Sequence, residues 1–323
     1  MTDRSAHDGV LVVDKPTGPT SHDVVSCVRR TLGLKKVGHL GTLDPIATGV
    51  LPLVVGRATR LASLFSDASK QYDAVIRLGL VTDTYDITGT VVGGSEANLT
   101  GAEAAGAPEE PTPEAIAQAA SGFIGSYAQH PPSYSAKKID GVRAYNLARQ
   151  RRAVNVAPVP VTVETLTLLS IDGSRVRCRI VCSSGFYVRS LAHDLGKALG
   201  CGGCLETLRR ERHGSFGLQD AVPLARVIEY GVYGEAAERG AQVATELIPM
   251  GALLPGIPAI VVNDLGAGRT AHGNPVRLAD LTPGTGFPPP ETGRVRVLDE
   301  RGRLLAIADQ RADGALHPKI VLV

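Results

Sequence analysis

Apolar positions along this chain follow two patterns. One is the short unbroken run, as in Val10-Leu11-Val12-Val13 and in Val50 to Val55. Runs of this kind, bounded by turn residues, predict buried strands. The other pattern is alternation. From Lys70 to Leu80, residues Tyr72, Ala74, Ile76 and Leu78 share one face of an extended segment. Val159–Ser170 and Arg175–Ser183 predict further strands. Thr20 or Ser21 caps a helix that runs to about Leu32, with Gly33 as its stop. Ala58–Phe65 predicts a short helix, and Pro113–Phe123 and Tyr187–Leu199 predict others. A Cys201-Gly-Gly-Cys204 turn leads into the run Leu205–Arg212. Leu224–Ile248 reads as mainly helical, broken by glycines at Gly231–Gly234. Pro255–Pro258 reads as a linker. Beyond it come short apolar segments, Ile260–Val262, Val295–Leu298, Leu304–Ala308 and Ile320–Val323. The hairpin signal Asp299-Glu-Arg-Gly302 lies among them. The last part therefore predicts a small β-rich domain. No solenoid-type repeat stands out.

Composition narrows the class. The chain has 323 residues, 43% of them hydrophobic, which suits one large domain with a small one and excludes a disordered protein. Its 34 basic and 32 acidic side chains give a formal net charge of +2, so any affinity for nucleic acid depends on local clustering. No apolar run approaches the ~18 residues of a membrane span. The N-terminal residues lack a signal-peptide pattern, and the expectation is a soluble cytoplasmic protein. Five cysteines, an odd number, argue against a disulfide scaffold. The Cys201/Cys204 pair has metal-ligand spacing, but no second such pair completes a tetrahedral site.

Charge is uneven. Residues 93–114 hold five acids and no base, which predicts a flexible surface insertion kept off nucleic acid. Residues 134–155 hold Lys137, Lys138, Arg143, Arg149, Arg151 and Arg152 against Asp140 alone, a local charge of +5. Tyr134 and Tyr145 lie among them. Such a segment suits a phosphate backbone with rings available for stacking, although a solvated helix face has the same charge pattern.

The candidate chemistry centres on Gly38-His-Leu-Gly-Thr-Leu-Asp44-Pro-Ile-Ala-Thr-Gly49. One carboxylate, Asp44, sits in a Gly- and Pro-punctuated loop just ahead of a predicted strand. Pro45 biases Asp44 away from helix. A carboxylate on such a turn suits a nucleophile or base, and it equally suits an Asx-turn that only closes the loop. There is no P-loop and no dinucleotide-binding glycine motif.

The stretch GHLGTLDPIATGVLPL, residues 38–53, resembles the signature of the bacterial tRNA pseudouridine synthase B (TruB) family. VDKPTGPTSHDVV at 13–25, Lys70-Gln-Tyr72, PPSYSAKKIDGVRAYNLAR at 131–149, Ser184-Gly-Phe-Tyr-Val-Arg-Ser190 and the block from Leu199 to Arg210 are similar to further family motifs, in family order. The resemblance spans about residues 10–216. It implies an α+β fold: a pseudouridine synthase catalytic domain over 1–252 with a largely antiparallel mixed central sheet. A small β-rich, PUA-like, RNA-contacting domain would occupy 253–323.

It also implies an isomerase that takes uridine 55 of the tRNA T arm to pseudouridine, with no cofactor and no metal, acting as a cytoplasmic monomer. Asp44 would be nucleophile or base, and Arg189 would hold it charged and aimed. Tyr72 would stack on the everted base and assist proton removal, and Tyr187 and Leu208 would complete the pocket wall. His39 would fill the place of the base or hold the RNA loop. Lys15 would organise the Asp44 loop. Residues 129–155 would form a mobile thumb over the RNA. A guide-dependent synthase and a non-catalytic tRNA-folding chaperone are the alternatives, and a small-molecule hydrolase would leave the basic cluster without a purpose.

Overall fold

A computed structural model describes residues 7–95, 110–134, 138–139, 142–143, 156–232, 241–289, 293–311 and 315–323. The main strands in chain order are β1 (Gly9–Lys15), β2 (Val37–His39), β3 (Thr48–Val55), β4 (Lys70–Leu78), β5 (Gly125–Gln129), β6 (Val159–Asp172), β7 (Arg175–Cys182), β8 (Gly203–His213) and β9 (Val222–Pro223). They join one mixed sheet in the order β9-β1-β3-β8-β4-β7-β6-β5, with β2 on β3. Only β1–β9 and β3–β8 pair in parallel along this path; the other pairs are antiparallel. A second sheet holds β10 (Ala259–Val262), β11 (Arg294–Asp299), β12 (Leu304–Gln310) and β13 (Leu316–Val321), in sequence order. The fold is α+β. Among the described residues, no helix is long and apolar enough to cross a membrane.

Helices α1 (Ser21–Leu32), α2 (Pro113–Ser121), α3 (Val188–Ala198), α4 (Leu224–Val232) and α5 (Asp264–Ala271) accompany the sheets. Helix α1 starts in a capping box between Thr20 and Asp23 and ends at Gly33 in the left-handed region, φ 63°. Its Val24, Val25 and Val28 enter a core shared with Leu51, Leu53 and Val55 of β3 and with Leu191 and Leu195 of α3. The opposite face of β1 and β3, through Val10, Val12, Val50 and Val54, meets Leu61, Phe65 and Phe216 together with Leu304, Ile307 and Leu322 of the closing sheet. Strands β1 and β3 are thus buried on both sides, which is why they read as unbroken apolar runs. The closing sheet also has its own core around Ile260, Val295, Val297 and Leu316.

Several expectations need correction. Gly56–Phe65 is a 3₁₀ helix. The helical stretch after Leu224 is described over Leu224–Val232 and again over 241–244, with residues 233–240 outside the described residues, and Ile248–Pro249 is a strand on β1. The last strand ends at Val321 and begins at Leu316, earlier than its apolar run. Helix α5 was not predicted within the β-rich part. Of the acidic stretch 93–114, residues 96–109 lie outside the described residues.

Candidate active site

Asp44 sits in the loop between β2 and β3, and neighbouring elements fix that loop from three directions. Ser21, at the head of α1, receives the Leu43 N–H at 2.8 Å and donates to the Leu43 carbonyl at 3.0 Å. Lys15, fully buried at the end of β1, donates to the carbonyls of Pro16, Pro45 and Ala47 at 2.9, 3.3 and 2.6 Å. Burial lowers the Lys15 ammonium to about 8; the Asp44 carboxylate opposes that shift and the Arg210 cation adds to it. Arg210, on β8, reaches the loop from below. The loop returns to the sheet at Gly49, φ 97°, where a Cβ would lie 2.3 Å from the Arg210 carbonyl oxygen. Gly49→Ala is therefore expected to cost about 3 kcal/mol or more of stability, from backbone strain and a rigid overlap. A denaturant midpoint within error of the parent would refute this account of the loop.

Arg189, in the first turn of α3, closes the site. Its Nε donates to Asp44 Oδ2 at 2.8 Å and its Nη2 to Oδ1 at 3.0 Å, a bidentate pair. The Arg189 side chain is 5% exposed and that of Asp44 is 33% exposed, so the carboxylate faces solvent while the cation is enclosed. The remaining N–H groups go to the Tyr134 carbonyl at 3.0 Å and the Thr84 carbonyl at 3.1 Å, with Asp86 Oδ2 at 3.8 Å from Nη1. Asp86 is buried and held by Thr84 Oγ1, the Thr88 N–H and the Thr88 hydroxyl. The start of α3 is itself pinned. Gln129, buried on β5, receives the Tyr187 N–H at 2.8 Å and donates to the Tyr187 carbonyl at 3.0 Å.

Tyr72 on β4 and Leu208 on β8 are neighbours on one face of the sheet, both buried, in register with Arg210 and Ala74 respectively. Burial raises the Tyr72 phenol; Arg210 draws it back down, while Cys182 and Asp44 push it up. His39 is half-buried in β2 opposite Leu53. Tyr187 is half-buried just ahead of α3. A cleft of about 670 Å³ runs beside the loop, walled by Thr17, Pro45, Ile46, Thr88, Leu208 and Arg209. The structure thus brings Asp44, Arg189, Tyr72 and Lys15 to one place, with Leu208 beside them. Of the basic segment, Lys138 and Arg143 belong to two short paired strands, Lys138–Ile139 and Val142–Arg143. Lys137, Arg149, Arg151 and Arg152 lie outside the described residues. Among the described residues no His/Cys/Asp/Glu group could hold a metal, and all five cysteines are free thiols.

Sequence patterns did not mark Asp86, Gln129 or His213. His213 is buried at the end of β8, and burial, with the Arg210 and Lys70 cations, pushes it down to about 3. It is neutral when folded at pH 5–7, whereas the unfolded chain's histidine takes up a proton below about 6.5. Its stabilising contribution is thus complete above pH 6.5 and is lost as the pH falls toward 3. The slope is about 1.4 kcal/mol per unit, so roughly 2 kcal/mol disappears between pH 6.5 and 5. In His213→Gln the stability-versus-pH curve should be flatter by about one proton in that window. Identical slopes would contradict the assignment.

Comparison with known proteins places this geometry. A family profile described as TruB family pseudouridylate synthase (N terminal domain) matches residues 29–188. A second, tRNA pseudouridylate synthase B C-terminal domain, matches residues 189–254. The tRNA pseudouridine synthase B of Solibacter usitatus (strain Ellin6076) is 41% identical over 316 residues, 98% of this chain and 100% of that protein. The tRNA pseudouridine synthase B of Thermotoga maritima is 39% identical over 301 residues, 93% of this chain and 89% of that protein. Among solved structures, a chain of a Cbf5-Nop10-Gar1 complex aligns with a TM-score of 0.66 at 25% identity, covering 99% of this chain and 86% of its own. A chain of the archaeal box H/ACA sRNP Nop10-Cbf5 complex gives 0.65 at 26%, covering 98% and 86%. The mixed sheet with its separate closing sheet is the pseudouridine synthase fold, and the chain belongs to the TruB family of pseudouridylate synthases.

Proposed function

We infer that this chain is a tRNA pseudouridine synthase that isomerises uridine 55 in the T loop. The observation that carries the reading is the Asp44 carboxylate, partly open to solvent and gripped at both oxygens by a buried guanidinium. The names of its relatives support tRNA as the substrate class. The reaction breaks the N1–C1′ glycosidic bond, turns the uracil and forms C5–C1′. N1 gains a proton and C5 loses one, so the sum is an isomerisation that consumes no oxidant, phosphate or cofactor. Asp44 is the nucleophile or base, and attack at ribose C1′ or at the uracil ring fits the same geometry. The target base must leave its stack to reach the carboxylate, and Tyr72, Tyr187 and Leu208 are the walls that receive it. His39 fills the place of the everted base or steadies the RNA loop, and Lys15 keeps the Asp44 loop in form.

The proposed division of labour gives residues 1–252 the chemistry and 253–323 contacts to RNA. Lys137, Lys138, Arg143, Arg149, Arg151 and Arg152 supply charge for the phosphate backbone of the T arm. The working form is a monomer in the cytoplasm. The test is direct. Purified protein is incubated with an unmodified tRNA transcript without added cofactor, and pseudouridine is mapped. Product at position 55 is expected. Product at another position refutes the site assignment, and binding without product leaves a folding chaperone in its place.

A further inference from the structure

Arg210 has an unusual position for an arginine. It is 1% exposed in the middle of β8, opposite Tyr72 on β4 and Gly49 on β3. A guanidinium removed from water ordinarily has a carboxylate beside it, because the lost hydration must be replaced. Among the described residues no carboxylate stands within salt-bridge distance of this one. Its partners are backbone carbonyls of the loop that carries Asp44. Nε donates to Val50 at 2.7 Å, Nη2 to Gly41 at 3.2 Å and Nη1 to Thr42 at 3.5 Å. The Gly41 and Gly49 backbones approach closely: a Cβ at Gly41 would meet His213 Cε1 at 3.0 Å and Arg210 Nη1 at 3.6 Å. Directly across the sheet stands Tyr72, paired with Arg210 in the β4–β8 register, and the cation opposes the upward push of burial on its phenol.

An arginine has only donors. Its three bonds to the Asp44 loop accordingly all run to carbonyl oxygens. One buried cation thus holds the segment bearing the carboxylate and stands across the sheet from the residue bearing the phenol. We propose that Arg210 is a positioning residue of the reaction, pinning the Gly41–Val50 segment behind Asp44 and placing its positive charge beside Tyr72. The charged and titratable groups around this pair are Lys15, Lys70 and His213 near Arg210, and Asp44 and Cys182 near Tyr72. None of the first three is an anion that neutralises the guanidinium in place of the carbonyls.

The inference rests on the pseudouridine-forming reading, and the unsubstituted protein serves as the separate check of that reading. If it makes no pseudouridine from a tRNA transcript, that reading fails independently of Arg210. With the parent active, Arg210→Gln and Arg210→Lys are compared in single-turnover pseudouridine formation and in tRNA binding. Binding is expected within about twofold of the parent, and the rate constant about 100-fold lower for glutamine, with partial recovery for lysine. A readout independent of rate uses protein labelled with 3-fluorotyrosine. The ¹⁹F resonance of residue 72, assigned with Tyr72→Phe, is titrated with pH. Removing the cation should move its midpoint upward by about one pH unit in Arg210→Gln, less in Arg210→Lys. Should the glutamine variant not fold, the lysine variant reports both quantities. An unchanged rate overturns the proposal, as does a rate loss that leaves the Tyr72 titration unmoved.

Discussion

Asp44→Asn is expected to bind an unmodified tRNA transcript within about twofold of the parent and to form pseudouridine on the order of 10⁴-fold more slowly, or not at all. The side chain keeps its size, and an amide oxygen still accepts one hydrogen bond from Arg189. What disappears is the anion: an amide is a poor nucleophile and a poor base. The substitution also turns one half of the bidentate pair from attraction to a clash of N–H donors, since Nε and Nη2 of Arg189 each meet a separate carboxylate oxygen. A buried guanidinium then relies on the Thr84 and Tyr134 carbonyls and on Asp86 at 3.8 Å. A stability loss of about 1–3 kcal/mol should accompany the loss of activity. Single-turnover assays at saturating protein separate the two effects. Product formed at the parent's rate would remove Asp44 from the chemistry.

Arg189→Lys carries the second largest expected effect, a fall in rate of at least about 100-fold with tRNA binding retained. The positive charge survives, yet an ammonium is a single point and cannot meet both carboxylate oxygens and two carbonyls from one position. The carboxylate is then held at one oxygen and swings. A misplacement near 1 Å is enough for a loss of that size. Arg189→Met is the companion variant. It leaves the Thr84 and Tyr134 carbonyls and Asp86 without their shared donor, and should lower stability by about 2–4 kcal/mol in addition to abolishing turnover. If lysine supports turnover within a few-fold of the parent, the two-point grip is not what the reaction needs.

How far the sequence foretold this arrangement depends on what kind of force placed each residue. Strand β4 was legible because its alternation is local: Tyr72, Ala74, Ile76 and Leu78 enter the core and the residues between them do not. Helix α1 was legible from its ends, Thr20 and Gly33. The Asp44 block was legible as a motif, and so was Arg189 from the block around it. The misses share a cause. The last strand contains His317, Pro318 and Lys319, and it lies at a sheet edge where such residues are tolerated. Helix α5 has two glycines in eight residues, and its start is set by Asn263 receiving the Gly266 N–H. Arg210 and His213 stand in a segment dense in charges of both signs, with no apolar pattern to single them out, and the register of β8 turns them inward. Asp86 lies in a turn of threonines and aspartates, and only contacts between residues far apart in the chain bring it to Arg189.

Strand β3, which leads directly out of the Asp44 loop, has core on both of its faces, one shared with α1 and α3 and the other with the closing sheet. It has no wet side along which it can loosen by degrees. The acid proposed to react is therefore mounted on a strand enclosed on both faces, and the final four strands back that strand through the core they share with it. Damage to that closing sheet would reach the acid's loop through this shared core, in addition to whatever it removes from the grip on RNA.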